Sequence, residues 1–253
     1  MNGFHRDISW PSSPAPLVLA KNEVHLLVAP LNVASADLEA FAATLSETEK
    51  VRAAKFRFDQ HRCRFVAGRG LLRAVLGQYL QTDPRQLNFV DCPRGKPRLD
   101  PEGPGVLHFN LAHAEDLVIF AVTRLGEVGV DLECVRRIEE AHDLVARFFS
   151  KGENATFQGL PEAARAVAFF NLWTRKEALL KATGEGLGAA LNAVEVSFLP
   201  GETARLVAIA GDTRCASEWS LEEFSPAAGY VGAAAVRSQK MRLRCWKWNQ
   251  EGV

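Results

Sequence analysis

The chain has no net charge, no long apolar run and no paired pattern of cysteines. Thirty basic side chains balance thirty acidic ones over 253 residues. The molecule as a whole therefore presents no field that draws DNA or an anionic membrane, and recognition of a polyanion has to come from a local patch. No apolar stretch approaches the roughly 18 residues that a membrane span needs. The segment from Met1 to Pro16 carries His5, Arg6, Asp7 and several prolines but no apolar core of signal-peptide length, so it reads as the loose, uncleaved tail of a cytoplasmic protein. Cys63, Cys92, Cys134, Cys215 and Cys245 are odd in number and nowhere spaced C-x-x-C, which argues against a disulfide framework and against a zinc site. Two nucleotide signatures are missing as well. Arg94-Gly95-Lys96-Pro97 is a turn holding two cations, yet no G-x-x-x-x-G-K-[ST] surrounds it. Gly184-Glu185-Gly186-Leu187-Gly188 follows a helical pattern, where a dinucleotide fingerprint would follow a strand.

What remains is ordinary globular material, 47% apolar and 24% charged, enough for one large domain or two of about 125 residues with a core each. Val24 to Ala29 reads as a strand. Ser46-Glu47-Thr48-Glu49 has the S-x-x-E form of a capping box, and apolar spacing predicts a long helix from about Arg62 to Leu80. Leu87 to Val90 is strand-like. Val106 to Leu111 and Leu117 to Thr123 make a hairpin, with Ala114-Glu115-Asp116 at its tip and His113 at its mouth. Leu125-Gly126-Glu127 breaks the pattern and divides the chain into halves, 1–124 and 125–253. In the second half Ala141 to Phe149 looks helical, and Ser150-Lys151-Gly152-Glu153 is another capping box. The longest helix of that half runs from about Glu162 to Ala182 and stops before Gly184. Val194 to Phe198, Arg205 to Ile209, Trp219 to Phe224, Tyr230 to Val236 and Met241 to Trp246 read as strands of a second sheet. Each half is then helices plus a largely antiparallel sheet, an α+β unit used twice without a visible sequence repeat.

Three stretches carry chemistry. In Gly129-Val130-Asp131-Leu132-Glu133 the alternation of a strand points Asp131 and Glu133 the same way, roughly 7 Å apart. Such a pair can hold a hard cation, and magnesium typically takes only one or two protein carboxylates when phosphate oxygens complete its shell. Alone, the same two acids read first as a solvated strand face, and only their context favours a cation. Lys50, Arg52, Lys55, Arg57, Arg62, Arg64, Arg69 and Arg73 form the densest positive segment of the chain. Most of it suits a solvated helix face, and one or two of its members suit phosphate. On the helix after Pro161, Phe169, Trp173 and Leu180 share an apolar stripe, while Glu177 and Lys181 lie one turn apart along its edge.

Taken together and in this order, Gly95-Lys96-Pro97, Phe109-Asn110-Leu111-Ala112-His113, Gly129 to Glu133, and Trp173-Thr174-Arg175-Lys176-Glu177-Ala178 continuing to Lys181 resemble the 4′-phosphopantetheinyl transferases of the larger, surfactin-synthetase type. The resemblance spans about Arg64 to Gly188. It implies a monomeric pseudo-dimer, an α+β fold in which a helix-plus-antiparallel-sheet unit is duplicated about a pseudo-twofold, with the active site between the halves. It further implies transfer of the phosphopantetheine arm of coenzyme A to a serine of an apo carrier domain, with Mg2+ or alternatively Mn2+, releasing adenosine 3′,5′-bisphosphate. The carrier would belong to a fatty-acid, polyketide or nonribosomal peptide synthase.

By the same resemblance Asp131, Glu133 and Glu177 occupy metal positions, and Glu177 is the general base, with Glu133 or water as alternatives. Lys181 faces the transferred phosphoryl group, and Lys176 is a further phosphate contact. His113 meets the 3′-phosphate of coenzyme A, Arg64 and Lys96 other phosphate oxygens or the nucleotide, and Arg52 and Lys55 supply further cations across a one-residue gap. Ala112 stands where many relatives have serine, which removes one hydroxyl contact. The residues leave two other readings open: a non-catalytic module of this fold that binds coenzyme A or carrier proteins, and a magnesium-dependent phosphohydrolase.

Overall fold

The structure, a computed structural model, describes residues 8–92, 95–100, 107–184 and 191–249. Arg94, Val106, His5, Arg6, Asp7 and residues 185–188 of the expectations above lie outside the described residues.

One unit occurs twice along the chain. Strand β1 (Glu23–Pro30) leads into helices α1 (Ser35–Thr44), α2 (Glu47–Ala54) and α3 (Asp59–Leu80), a 3-10 turn at Pro84–Gln86, and the strand pairs β2 (Asn88–Asp91) with β3 (Pro97–Asp100) and β4 (His108–Ala114) with β5 (Leu117–Thr123). Strand β6 (Val128–Cys134) then opens the same series: α4 (Ala141–Phe148), α5 (Lys151–Gln158), α6 (Glu162–Thr183), a 3-10 turn at Leu191–Ala193, β7 (Val194–Val196) with β8 (Leu206–Ile209), a short α7 (Thr213–Ser217), and β9 (Ser220–Phe224) with β10 (Tyr230–Val236). Pairing repeats as well, in the orders β1-β5-β4 and β6-β10-β9, all antiparallel.

The duplication extends to side chains. Both predicted capping boxes form, Ser46 with Glu49 at the start of α2 and Ser150 with Glu153 at the start of α5. Each of these glutamates also holds a buried cation from the long helix of its own half, Arg73 to Glu49 at 2.7 Å and Lys176 to Glu153 at 2.5 Å. Each cation goes on to donate to carbonyls flanking the following 3-10 turn, those of Pro84 and Leu87 for Arg73 and those of Leu191 and Val194 for Lys176. Buried charges persist when paired and hydrogen-bonded, and both cations have a carboxylate and two carbonyls as acceptors.

One sheet assignment is corrected. Met241 to Trp246 was expected in the second sheet, but the strand, β11 (Arg242–Lys247), returns to the first half and runs parallel to β1, giving the order β11-β1-β5-β4. Arg244 reaches Glu23 at 3.2 Å, and the Trp246 ring stands edge-on to His25 at 4.4 Å. The β7 and β8 strands likewise form their own pair outside the main second sheet. A strand pattern reports burial and says nothing of which edge the strand will join.

Alternation along the strands sorts side chains into three cores. Helix α3 covers one face of the first sheet through Leu27, Phe120 and Val122, and α6 covers one face of the second through Val231, Ala233 and Ala235. The opposite faces meet each other, with Leu26, Ile119 and Ala121 against Val128, Val130, Leu132 and Ala234. In β6 this leaves Gly129, Asp131 and Glu133 on the side of α6. Gly129 lets the two elements touch: a Cβ there would lie 1.9 Å from the Ala178 carbonyl oxygen. Among the described residues no helix is long and apolar enough to cross a membrane.

Candidate active site

The close approach of β6 and α6 brings two distant parts of the sequence together. Lys181 donates to Asp131 Oδ1 at 2.7 Å and to the Val130 carbonyl at 3.2 Å, so the D-x-E strand and the later helix meet directly. Asp131 and Glu177 are buried, and Glu133 is half-buried. Burial pushes all three carboxyls above their ordinary values. Glu177 rises to about 7, with the negative charge of Asp131 as the second cause and Lys181 opposing it. Glu133 is raised by burial and then by the charge of Asp131. Asp131 is raised by burial, against the pull of Lys181. Three acids whose charges act on one another, with Lys181 among them and Arg136 3.8 Å from Glu133, form a negative site.

Asp131 Oδ2 and Glu177 Oε1 are buried without a hydrogen-bond partner from the described residues. Such atoms are costly unless something fills them, and a divalent cation is one candidate that carboxylate oxygens suit. No three His, Cys, Asp or Glu side chains among the described residues converge into a ready-made metal cage. The set therefore fits an ion that borrows ligands from a phosphorylated substrate and does not fit one held by protein alone.

Beside this cluster lies a cleft of about 720 Å³, walled by both halves. Lys181 and Leu180 of α6 stand on one side, His113 and Asn110 of β4 on another, and Arg52, Arg64 and Lys96 complete a basic rim. Asp131, Glu133 and Glu177 are absent from the lining and join the cleft through Lys181. Arg64 pairs with Asp116 at 2.6 Å, and the Arg52 guanidinium lies over the Phe65 ring at 5.4 Å. Lys55 is exposed at the end of α2 and does not line the cleft.

Lys176 is a correction. Its side chain is fully buried and tied to Glu153, on the opposite side of α6 from the cleft, so it contacts no phosphate there. Five residues from Lys181 is about 500° of helix, which leaves the two lysines roughly 140° apart around the axis. Lys96 also departs from expectation, since all three of its ammonium protons are engaged with protein acceptors.

Among the cleft residues that the sequence reading missed are His61 and Phe56, and it missed one supporting contact as well. His61 lines the cleft three residues before Arg64, a spacing that puts both on one face of α3 and could have flagged it. Phe56 adds an aromatic wall from the turn between α2 and α3. Asn110 Oδ1 accepts the buried Val130 amide at 2.9 Å, which satisfies the free edge of β6 beside Asp131.

Comparison with known proteins agrees with this geometry in both halves. The profile of the 4′-phosphopantetheinyl transferase superfamily matches residues 127–235, and that of the 4′-phosphopantetheinyl transferase N-terminal region matches residues 32–125. The 4′-phosphopantetheinyl transferase HetI of Nostoc sp. is 39% identical over 241 residues, covering 95% of this chain and 98% of that protein. The 4′-phosphopantetheinyl transferase Sfp of Bacillus subtilis is 28% identical over 158 residues, 62% of this chain and 68% of that protein. A near full-length match to such an enzyme, laid over a basic cleft and a buried acid cluster, leads to one conclusion: the chain belongs to the 4′-phosphopantetheinyl transferases.

Proposed function

We propose that this transferase moves the 4′-phosphopantetheine arm of coenzyme A onto a serine hydroxyl of an apo carrier domain from a fatty-acid, polyketide or nonribosomal peptide synthase. The observation that carries the reading is the pair of buried, unpartnered oxygens on Asp131 and Glu177, beside Lys181 at the wall of a basic cleft. Asp131, Glu133 and Glu177 would hold Mg2+, with Mn2+ as a substitute. When bound, the ion would neutralise charge on the diphosphate as the bond to the leaving group breaks.

The protein's own part is acid–base work and charge placement. The serine oxygen forms a bond to the phosphorus that bears pantetheine, the bond from that phosphorus to the bridging oxygen breaks so that adenosine 3′,5′-bisphosphate leaves, and the serine proton passes to Glu177. Without a cation burial holds this carboxyl at about 7; a cation beside it would keep it ionised at neutral pH, able to take the proton but as a weaker base, with Glu133 or water as the alternative. Lys181 turns its ammonium from Asp131 toward the transferred phosphoryl oxygens, where fixed positive charge acts on charge that develops in the transition state. His113, Arg64 and Arg52 grip the remaining phosphates along the rim.

The test is to mix the protein with magnesium, coenzyme A and several purified apo-carriers and to look for the mass gain of one phosphopantetheine arm. Asp131→Ala and Glu177→Ala should abolish the gain, and Lys181→Ala should slow it more than it weakens coenzyme A binding. Near-normal turnover in either acid variant would overturn the metal assignment. Carrier binding without turnover would favour a binding module, and free phosphopantetheine formed without a carrier would favour a phosphohydrolase.

A further inference from the structure

We propose that Lys96 is a positioning residue that pins the acid-bearing strand and helix to each other, and is not a phosphate ligand. Its ammonium donates to Glu127 Oε2 at 2.5 Å, to the Val128 carbonyl at 3.0 Å and to the Lys181 carbonyl at 3.0 Å. An ammonium has three protons and no acceptor capacity, so these contacts use all it has. Its side chain is only 12% exposed.

The three acceptors mark the seam of the site. Val128 opens β6, three residues before Asp131. The Lys181 carbonyl belongs to the last turn of α6, where a helix leaves its final four carbonyls without intrahelical partners and where a cation meets the negative end of the helix. Glu127 completes the knot, taking Lys96 on one oxygen and lying 3.4 Å from His108 Nδ1, at the start of β4, on the other. Its carboxyl is held down at about 2 by His108 first and Lys96 second, as expected of a group kept ionised by its partners. One lysine from the turn before β3 therefore joins the strand that carries Asp131 and Glu133 to the helix that carries Glu177 and Lys181.

Shape distinguishes this role from phosphate binding. Three acceptors arranged around one nitrogen suit a compact ammonium, whereas a phosphate is met as well or better by a planar guanidinium. Lys96→Arg should therefore fail if Lys96 is a pin and succeed if it is a phosphate contact.

The test uses the full chain as Lys96→Met, Lys96→Arg and Glu127→Gln. It combines coenzyme A affinity by calorimetry, kcat by carrier mass gain, and amide hydrogen exchange over 128–131 and 180–183. We expect unchanged coenzyme A affinity in both lysine variants, kcat lower by about 10-fold to 100-fold, as small displacements of reacting groups produce, and faster exchange in both segments. Glu127→Gln should reproduce part of the loss and add little in the Lys96→Met background, since the two share one contact. Weaker coenzyme A binding at unchanged kcat, restored by arginine, would overturn the proposal, as would normal kcat despite faster exchange. The kinetic arm rests on the transferase reading, which fails separately if the unmodified chain transfers nothing. Exchange needs no substrate, and unchanged protection in Lys96→Met would overturn the pinning by itself.

Discussion

Replacing Gly129 by alanine adds one methyl group where the structure has no room for it. The new Cβ would stand 1.9 Å from the Ala178 carbonyl oxygen and 2.4 Å from the Ala182 amide nitrogen. Both are backbone atoms of α6, so no rotamer change relieves the overlap. Restoring the first contact from 1.9 to an ordinary 3.4 Å requires β6 and α6 to part by 1.5 Å at that point. Overpacking typically costs about 1–3 kcal/mol, and backbone meeting backbone puts this case at about 3 kcal/mol. A fold stabilised by roughly 5–15 kcal/mol survives that loss. Asp131 lies two residues beyond the methyl and Glu177 one residue before Ala178, so the same displacement separates the proposed metal ligands. A shift of about 1 Å lowers turnover by about 100-fold. The assay pairs urea unfolding, followed by tryptophan fluorescence, with the initial rate of carrier modification. Gly152→Ala is the control, because its Cβ would meet nothing closer than Ser150 Oγ at 3.9 Å, and in a helix it should stabilise by roughly 0.5–1 kcal/mol. A Gly129→Ala protein within about 0.5 kcal/mol of the parent, the range of an ordinary surface change, and with full turnover would refute the reasoning.

Four further outcomes are expected. Lys176→Met leaves Glu153 buried without its cation and should cost about 3–5 kcal/mol in urea unfolding, with turnover and coenzyme A affinity unchanged in the folded protein; a loss of affinity would return Lys176 to the phosphate site. Glu177 titrates near 7 when folded against an ordinary 4.5, so between those values the folded chain holds a proton that the unfolded chain has released, and stability falls as pH rises through the window; Glu177→Gln should flatten that slope. A cation beside the cluster lowers the same pKa, so magnesium added just below pH 7 should release protons, seen as a calorimetric heat that varies with the buffer's ionisation enthalpy. Heat independent of buffer would exclude Glu177 as a ligand. Asn110→Ala removes the acceptor of the buried Val130 amide and should cost about 1–3 kcal/mol, with faster exchange of that amide; unchanged exchange would mean that water takes the place of the side chain.

What could be read from the chain was what short-range physics decides. The capping boxes at Ser46 and Ser150 appeared because a hydroxyl and a glutamate three residues on satisfy each other locally. Asp131 and Glu133 fell on one side because strand alternation leaves no choice. Helix α1 escaped notice, since Ala34 at its N-cap offers no side-chain hydrogen bond and only Phe41 of its residues is buried. Helix α3 begins at Asp59, ahead of the predicted Arg62, for a similar reason: Phe58 gives no capping signal. Long-range geometry was not readable. Lys176 and Lys181 are alike in sequence, and only the packing of α6 sends one into the core and the other to the cleft. Lys96 of the GKP turn was expected on phosphate oxygens or the nucleotide, because nothing local shows that the Lys181 and Val128 carbonyls wait for it.

The return of β11 to the first sheet ties the fold to the order of synthesis. Strand β1 leaves the ribosome well before its parallel neighbour, which follows it by about 200 residues. Until then one border of that sheet offers open amides and carbonyls to any passing strand. A chain stopped before residue 237 should therefore associate or precipitate, and supplying residues 237–249 in trans as a peptide should rescue it.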